Sequence, residues 1–175
     1  DYIAERDFSE LDVQKIAQEK QRIYAPLLRE EGLPPAQVEY KLRRFVNDYL
    51  QPPKVTKKME IGLNRFHAIE QDIAQIKANN PHELMRAMEV SVIRDCAEMA
   101  ARASLYRKES RWGLYHHRVD YPERNDAEWF YHCHLKKDAH GNMVSFKKDV
   151  EPYVIPLNES EQHAYQHLRL KAANG

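Results

Sequence analysis

Apolar residues recur every three or four positions up to about residue 106, and prolines interrupt that period at intervals. The clearest stripe lies in residues 54–78 and consists of Met59, Leu63, Phe66, Ile69, Ile73 and Ile76. A helical period of about 3.6 residues places such side chains on one face, which is buried against other helices. This feature predicts a helical bundle.

Three further segments show the same period. Residues 9–29 predict a first helix, and Pro26 is expected to kink or end this helix. A turn at residues 32–34 precedes a second helix that starts at Pro35. The first helix gathers Val13, Ile16, Ile23 and Leu27 on one face, and the second is expected to bury Val38, Leu42, Phe45 or Val46, and Tyr49.

The fourth predicted helix has a recognisable start. Asn80 can accept a hydrogen bond from the first turn, and Pro81 suits the first helical position because it lacks an N–H group. Short turns between the four segments imply antiparallel neighbours. The face that we expect this helix to bury contains Leu84, Met88, Val92, Cys96, Met99 and Ala103.

The period changes after Ser110. Residues 129–135 alternate, with His132 and His134 on one side, which is typical of a strand. A turn at 138–142 and a second strand at 143–147 complete a predicted hairpin, and residues 114–121 are a candidate third strand of the same sheet. The predicted fold is mainly α, an antiparallel bundle of three to four helices followed by a small antiparallel β element.

We expect one domain over residues 1–175. It divides into a bundle at 9–106, an arginine- and aromatic-rich β element at 107–156 and a polar tail at 157–175, in which 159–171 form a short helix. Because the chain begins with Asp1, we interpret it as a part of a longer polypeptide.

Composition excludes several classes of function. Lys plus Arg and Asp plus Glu number 27 each, so no net positive charge favours nucleic-acid binding. No apolar run reaches the roughly 18 residues of a membrane span, which predicts no membrane insertion. Two cysteines, Cys96 and Cys133, do not form a disulfide framework and favour the cytoplasm.

Residues 107–129 carry four arginines among many carboxylates and aromatic residues. Guanidinium groups could bind a carboxylate or phosphate ligand. Nearby acidic residues could instead neutralise them, and we favour this internal ion-pair network at the junction of bundle and sheet. The arginines are Arg107, Arg111, Arg118 and Arg124, and the acidic residues are Glu109, Asp120, Glu123, Asp126 and Glu128.

Histidines suggest a metal site as an alternative. His132 and His134 share a strand face, and His116 or His117 could add a third ligand. We favour aromatic and imidazole packing, because no Cys/His quartet with structural-zinc spacing is present. No phosphate loop or dinucleotide fingerprint occurs, so the chain alone is not expected to bind FAD or NAD.

Three blocks together resemble a known family. They are residues 110–113 (Ser-Arg-Trp-Gly), 118–126 (Arg-Val-Asp-Tyr-Pro-Glu-Arg-Asn-Asp) and 128–129 (Glu-Trp). They are similar to the C-terminal domain of the fumarate reductase and succinate dehydrogenase flavoprotein family. Trp112, where those enzymes usually have Gly, and Tyr115 look more like the adenylylsulfate reductase alpha-subunit branch. The similarity spans roughly residues 54–156.

The resemblance implies a non-catalytic domain of an FAD-dependent oxidoreductase. FAD would be bound by an upstream FAD-binding domain, an iron–sulfur subunit is a possible partner, and this chain alone would be inactive. No catalytic or cofactor-binding residue is carried over from the family. The residues expected to hold the docking interface are Arg107, Arg111, Trp112, Arg118, Asp120 and Trp129.

Two other functions remain open from the sequence. One is a stand-alone metal-dependent enzyme that uses His116, His117, His132 and His134. The other is a helical interaction module, in which the fourth helix presents a groove-binding face.

Overall fold

A computed structural model describes residues 11–150, and these residues form a helical bundle followed by a β-hairpin. The mainly helical fold with a small antiparallel sheet is therefore confirmed. The predicted tail helix at 159–171 lies outside the described residues. The elements are α1 (Val13–Leu28), α2 (Pro35–Leu50), α3 (Thr56–Ala74), α4 (Pro81–Tyr106), α5 (Asp126–Trp129), β1 (Tyr131–Lys137) and β2 (Met143–Asp149).

Helices α2, α3 and α4 enclose the apolar core. The Phe45 and Phe66 rings meet edge to face, with their centroids 5.1 Å apart. The apolar stripes predicted for the second and third helices are confirmed, since their members are buried or partly buried. The buried core residues are Val38, Leu42, Phe45, Leu50, Met59, Phe66, Ile69, Ile76, Ala87, Val90 and Ala101.

A glycine allows α2 and α3 to approach closely. A Cβ atom added at Gly62 would lie 3.0 Å from Leu50 Cδ2 and 3.3 Å from Tyr49 Cβ. A side chain at this position would therefore require Leu50 or Tyr49 to shift by a few tenths of an ångström.

Helix α4 begins as the sequence predicts. Pro81 is its first residue, and the side chain of Asn80 accepts a hydrogen bond from the Glu83 backbone N–H at 3.0 Å. Helix α3, by contrast, ends at Ala74, four residues before the predicted end. Ile76 is still buried, because the chain pairs there with Leu33 in a backbone bridge rather than continuing as a helix.

The faces predicted for the first and fourth helices are partly wrong. In α1, Val13 is 74% exposed, and the helix continues past Pro26 to Leu28. In α4, Val92, Cys96 and Met99 are exposed rather than buried. The reason is that apolar residues lie around much of α4, so its period does not define one face. The positions that α4 buries are Leu84, Ala87, Val90, Glu98, Ala101 and Ser104.

The predicted hairpin is confirmed. Strands β1 and β2 are antiparallel, with Tyr131 opposite Asp149 and Lys137 opposite Met143. In β1, His132 and His134 are exposed while the alternating residues Tyr131, Cys133 and Leu135 are partly buried, as the alternation predicts. None of the helices in residues 11–150 has the length and apolar character needed to cross a membrane.

The prediction of a third strand at residues 114–121 is wrong. Within the described residues, the sheet contains β1 and β2 alone. The segment instead pairs with Lys54, two residues before α3: the Lys54 N–H donates to the His117 carbonyl at 2.8 Å, and the Val119 N–H donates to the Lys54 carbonyl at 2.9 Å. This pairing holds the loop against the bundle.

Candidate functional site

Arg118 lies at the centre of the loop that follows α4, and its side chain is fully buried. Its guanidinium donates to the carbonyls of Ser104 at 2.6 Å and Arg107 at 2.9 Å. It also donates to the Thr56 hydroxyl at 2.7 Å and to the Asp120 carboxylate at 2.9 Å. One side chain thus joins the start of α3, the end of α4 and the loop.

Glu109 is the second buried centre. Its carboxylate accepts hydrogen bonds from Arg107, from Arg111 at 2.7 Å and from the Asn125 N–H at 2.8 Å. Arg107 in turn donates to the carbonyl of Trp129 at 2.9 Å. Burial alone would raise the pKa of Glu109, but the hydrogen bonds from Arg111, Asn125 and Arg107 hold that pKa below its usual value.

Two further carboxylates complete this cluster. Asp126 pairs with Arg111 at 2.5 Å and with Arg124 at 2.6 Å. The hydrogen bond from Arg118 lowers the pKa of Asp120, and the bonds from Thr56 act in the same direction. We call Arg107, Glu109, Arg111, Arg118, Asp120 and Asp126 the arginine junction.

The internal ion-pair network predicted from the sequence is therefore present, although not every predicted acidic residue joins it. Glu123 contributes its backbone carbonyl, which accepts from the Ser110 N–H at 3.1 Å. The Glu128 carboxylate accepts from the Asn125 side chain at 3.2 Å.

An exposed turn of residues 112–115, here named the aromatic turn, projects from the junction. Trp112 is 69% exposed, Leu114 81% and Tyr115 84%. Trp112 has φ +58°, a left-handed conformation that a bulky residue adopts only when its surroundings hold it there. The flanking pair supplies that restraint, since the Arg111 N–H donates to the His116 carbonyl at 3.0 Å. Exposed apolar clusters of this kind mark interaction surfaces.

Two cavities border the aromatic turn. One, of about 700 Å³, is an apolar groove between α2 and α4, whose lining includes Val46, Leu50, Ala97 and Tyr115. The second cavity, also about 700 Å³, lies between α4, the aromatic turn and β1, and its lining combines apolar residues with arginine, lysine and histidine side chains.

The structure separates the predicted docking residues into two groups. Arg107, Arg111, Arg118, Asp120 and Trp129 lie in or against the junction, and Trp129 is 7% exposed. Trp112 alone of the predicted set is a prominent surface residue. The other exposed members of the turn, Leu114 and Tyr115, were absent from the predicted set, although their apolar character within a polar stretch is a usable signal.

The predicted metal ligands are not brought together as a metal site. His132 and His134 are neighbours on one face of β1, with ring centroids 6.1 Å apart, and both border the second cavity. His116 is buried and lines the same cavity, whereas His117 lines the apolar groove. Among residues 11–150, no three His, Cys, Asp or Glu side chains form a group that could hold a metal ion.

The fold is that of a C-terminal domain found in flavoproteins. A protein family described as "Fumarate reductase flavoprotein C-term" matches residues 39–165. The match covers well over half of the chain, so the chain belongs to this family. The resemblance inferred from the sequence is confirmed.

Individual relatives agree with this assignment. The succinate dehydrogenase flavoprotein subunit of Rickettsia bellii is 28% identical over 120 residues, which cover 66% of this chain and 20% of that protein. L-aspartate oxidase of Yersinia pestis is 36% identical over 90 residues, covering 49% of this chain and 15% of that protein. The chain thus spans about a fifth or less of the length of these curated relatives.

A solved structure shows the same fold. Adenylylsulfate reductase from Archaeoglobus fulgidus superposes with a TM-score of 0.81 and 26% sequence identity. The similarity covers 90% of this chain and 28% of that chain.

Proposed function

We propose that this chain is a structural and docking domain of an FAD-dependent oxidoreductase, in which the redox chemistry takes place on an FAD-binding domain upstream. The similarity to a dehydrogenase, an oxidase and a reductase supports the class of reaction. An iron–sulfur subunit is a further candidate partner. The family match disfavours the metal-enzyme and the independent interaction-module alternatives.

The aromatic turn carries the proposal. An exposed surface of Trp112, Leu114 and Tyr115 would be unfavourable in water unless a partner covers it. The arginine junction beneath the turn fixes its backbone before any partner arrives, so little conformational entropy is lost on docking. We infer that the arginine junction fixes the position of the aromatic turn and that the aromatic turn contacts the partner domain.

Residues 11–150, which the structure describes, do not fit FAD. A pyrophosphate requires free backbone N–H groups at a glycine-rich loop that opens a helix. Helices α2 and α4 each begin with proline, which removes such a donor. Gly113 and Gly141 have positive φ values but nothing within 4 Å of an added Cβ, so neither forms a close cradle. The FAD is therefore assigned to the upstream domain.

We place the protein in the cytoplasm. Both cysteines, Cys96 and Cys133, are free thiols. This cysteine usage suits a reducing compartment.

A binding experiment tests the docking role. The cognate FAD-binding domain, expressed separately, should bind this chain and carry flavin absorbance with it. Tyr115→Ser should weaken binding at least about tenfold, because exposed aromatic residues dominate such interfaces. The matched control is Tyr40→Ser, since Tyr40 is 68% exposed on α2, away from the turn.

Two outcomes would contradict the proposal. Equal binding by wild type and Tyr115→Ser would remove the aromatic turn from the interface. Flavin absorbance in the purified chain alone would contradict the assignment of FAD binding to the upstream domain.

A further inference from the structure

The charged side chains that line the second cavity, behind the aromatic turn, are all basic, although two of them are paired with carboxylates outside the lining. Its lining includes Lys54, Arg107 and Arg111, and no Asp or Glu side chain lines it. Three histidines, His116 from the loop and His132 and His134 from β1, face the same space. A cavity of this composition attracts negatively charged groups.

Lys54 is the cation that the junction leaves without a carboxylate. Its ammonium group donates to the neutral Ser104 hydroxyl at 2.8 Å, and no carboxylate of residues 11–150 pairs with it. Burial and the nearby Arg118 lower the pKa of Lys54. A bound anion would offset the lowering of the Lys54 pKa, because an opposite charge nearby favours the charged form of the ammonium group.

His116 supplies a buried atom without a partner. The side chain is 7% exposed, and its Nε2 has no hydrogen-bond partner. The ring is hydrogen-bonded to the Arg107 backbone, and His116 is one of the residues that line the cavity. Burial, followed by the charges of Lys54, Arg107 and Arg118, lowers the pKa of His116 to about 4. At neutral pH the ring is therefore uncharged.

We propose that this cavity binds a small oxyanion, a carboxylate or a phosphate, between the Lys54 ammonium and the His116 ring, and that His116 takes up a proton as the anion binds. A neutral Nε2 would direct its lone pair at the anion and repel it. A protonated Nε2 donates a hydrogen bond instead. The site goes beyond the docking role and does not depend on it.

Proton uptake makes the affinity depend on pH. One proton taken up per anion weakens binding about tenfold for each pH unit above the pKa of the free ring, up to the pKa of the complex. The charges of Lys54, Arg107 and Arg118 oppose protonation of His116 in the absence of an anion, and no Asp or Glu of the described residues lines the cavity to offset them.

Nuclear magnetic resonance of the whole chain tests the proposal. The His116 ring signals are followed between about pH 5 and pH 7 in acetate, in inorganic phosphate and in sodium chloride of equal ionic strength. Acetate or phosphate should raise the pKa of His116 by at least about one unit over chloride. Lys54→Met should weaken binding of the effective probe about tenfold, whereas Lys57→Met, on the exposed first turn of α3, should not.

A second variant separates this site from general charge attraction. His116→Gln keeps a polar side chain but cannot take up a proton, so the part of the pH dependence of probe binding that exceeds the ionisation of the probe itself should disappear. His67→Gln, whose side chain is 76% exposed on α3, should leave that dependence unchanged. Identical His116 titrations in acetate, phosphate and chloride would overturn the proposal, whatever the variants do.

Discussion

The helical bundle and the arginine junction lie side by side but are stabilised by different interactions. The bundle buries apolar side chains such as Leu42 and Phe66, whose contributions scale with the area removed from water. The junction buries Arg118 and Glu109, and each depends on partners from separate segments. Truncation in the bundle leaves a cavity, whereas truncation in the junction leaves several polar groups unpaired.

The different interactions of the bundle and the junction explain how the aromatic turn keeps its position. Apolar packing alone could shift by small rotations, but hydrogen bonds to Arg118 and Glu109 fix directions as well as distances. The bundle therefore provides stability, and the junction provides the geometry that presents Trp112 and Tyr115.

Arg118→Met should have the largest effect on stability. It removes the Arg118 donor from the carbonyls of Ser104 and Arg107 and both Arg118 donors from the Asp120 carboxylate, which keeps its bonds from Thr56. We expect a loss of about 3–5 kcal/mol in the free energy of unfolding, typical of breaking a buried charge network. Urea denaturation measures the loss. Arg118→Lys should recover less than half of it, because an ammonium group cannot donate to all of these acceptors with the planar geometry of a guanidinium group. A loss below about 1 kcal/mol would show that the junction is dispensable.

Leu42→Ala tests the other side of the comparison. Leu42 is fully buried in the core, so its truncation should cost about 3 kcal/mol through lost burial and the cavity left behind. The loss should be the same at pH 5 and pH 7, measured by urea denaturation, because no titratable group is involved. A strongly pH-dependent loss would mean that the bundle and the junction are not separable.

Acid should weaken the junction through His116 before it affects the carboxylates. The pKa of His116 is about 4 in the folded chain and about 6.5 when unfolded, so the unfolded chain binds more protons between these values. The contribution of the neutral His116 ring to the free energy of unfolding is fully present above about pH 6.5 and is lost as the pH falls towards 4.

The expected loss between pH 7 and pH 5 in chloride is about 2 kcal/mol. Urea denaturation at both pH values measures it, and His116→Gln should remove most of the difference. The pKa values of Glu109, Asp120 and Asp126 are lowered, so their contribution is lost only below about pH 4. A flat profile from pH 7 to pH 5 would contradict the neutral, buried state of His116.

Leu114→Ser should have the smallest effect on stability. Leu114 is 81% exposed, and a surface substitution of this kind changes the free energy of unfolding by less than about 0.5 kcal/mol. Thermal denaturation of the variant checks the value. A larger loss would show that the aromatic turn helps to hold the fold rather than being available for a partner.

Much of the fold could be predicted because it depends on local pattern. The stripe of α3, the start of α4 at Asn80 and the alternation of β1 each arise from neighbouring residues. The buried face of α4 could not be predicted, since apolar side chains surround that helix and only its neighbours decide which are covered. Cys96 is exposed for this reason.

The site was predictable in composition but not in geometry. The density of arginine and carboxylate residues indicated an ion-pair network, and Glu109, Asp120 and Asp126 do pair with the arginines. The proximity of Lys54 to His116 depends on the backbone pairing of Lys54 with Arg118 in the loop after α4. No local pattern encodes that contact.

The sequence by itself determined the helices, the hairpin and the family, because periodicity, capping residues and a local motif are properties of short stretches of chain. The tertiary structure decided which charges are buried and which apolar residues face solvent. Arg118 reaches Thr56 across 62 positions of sequence, and contacts of that range exist only once the helices have packed.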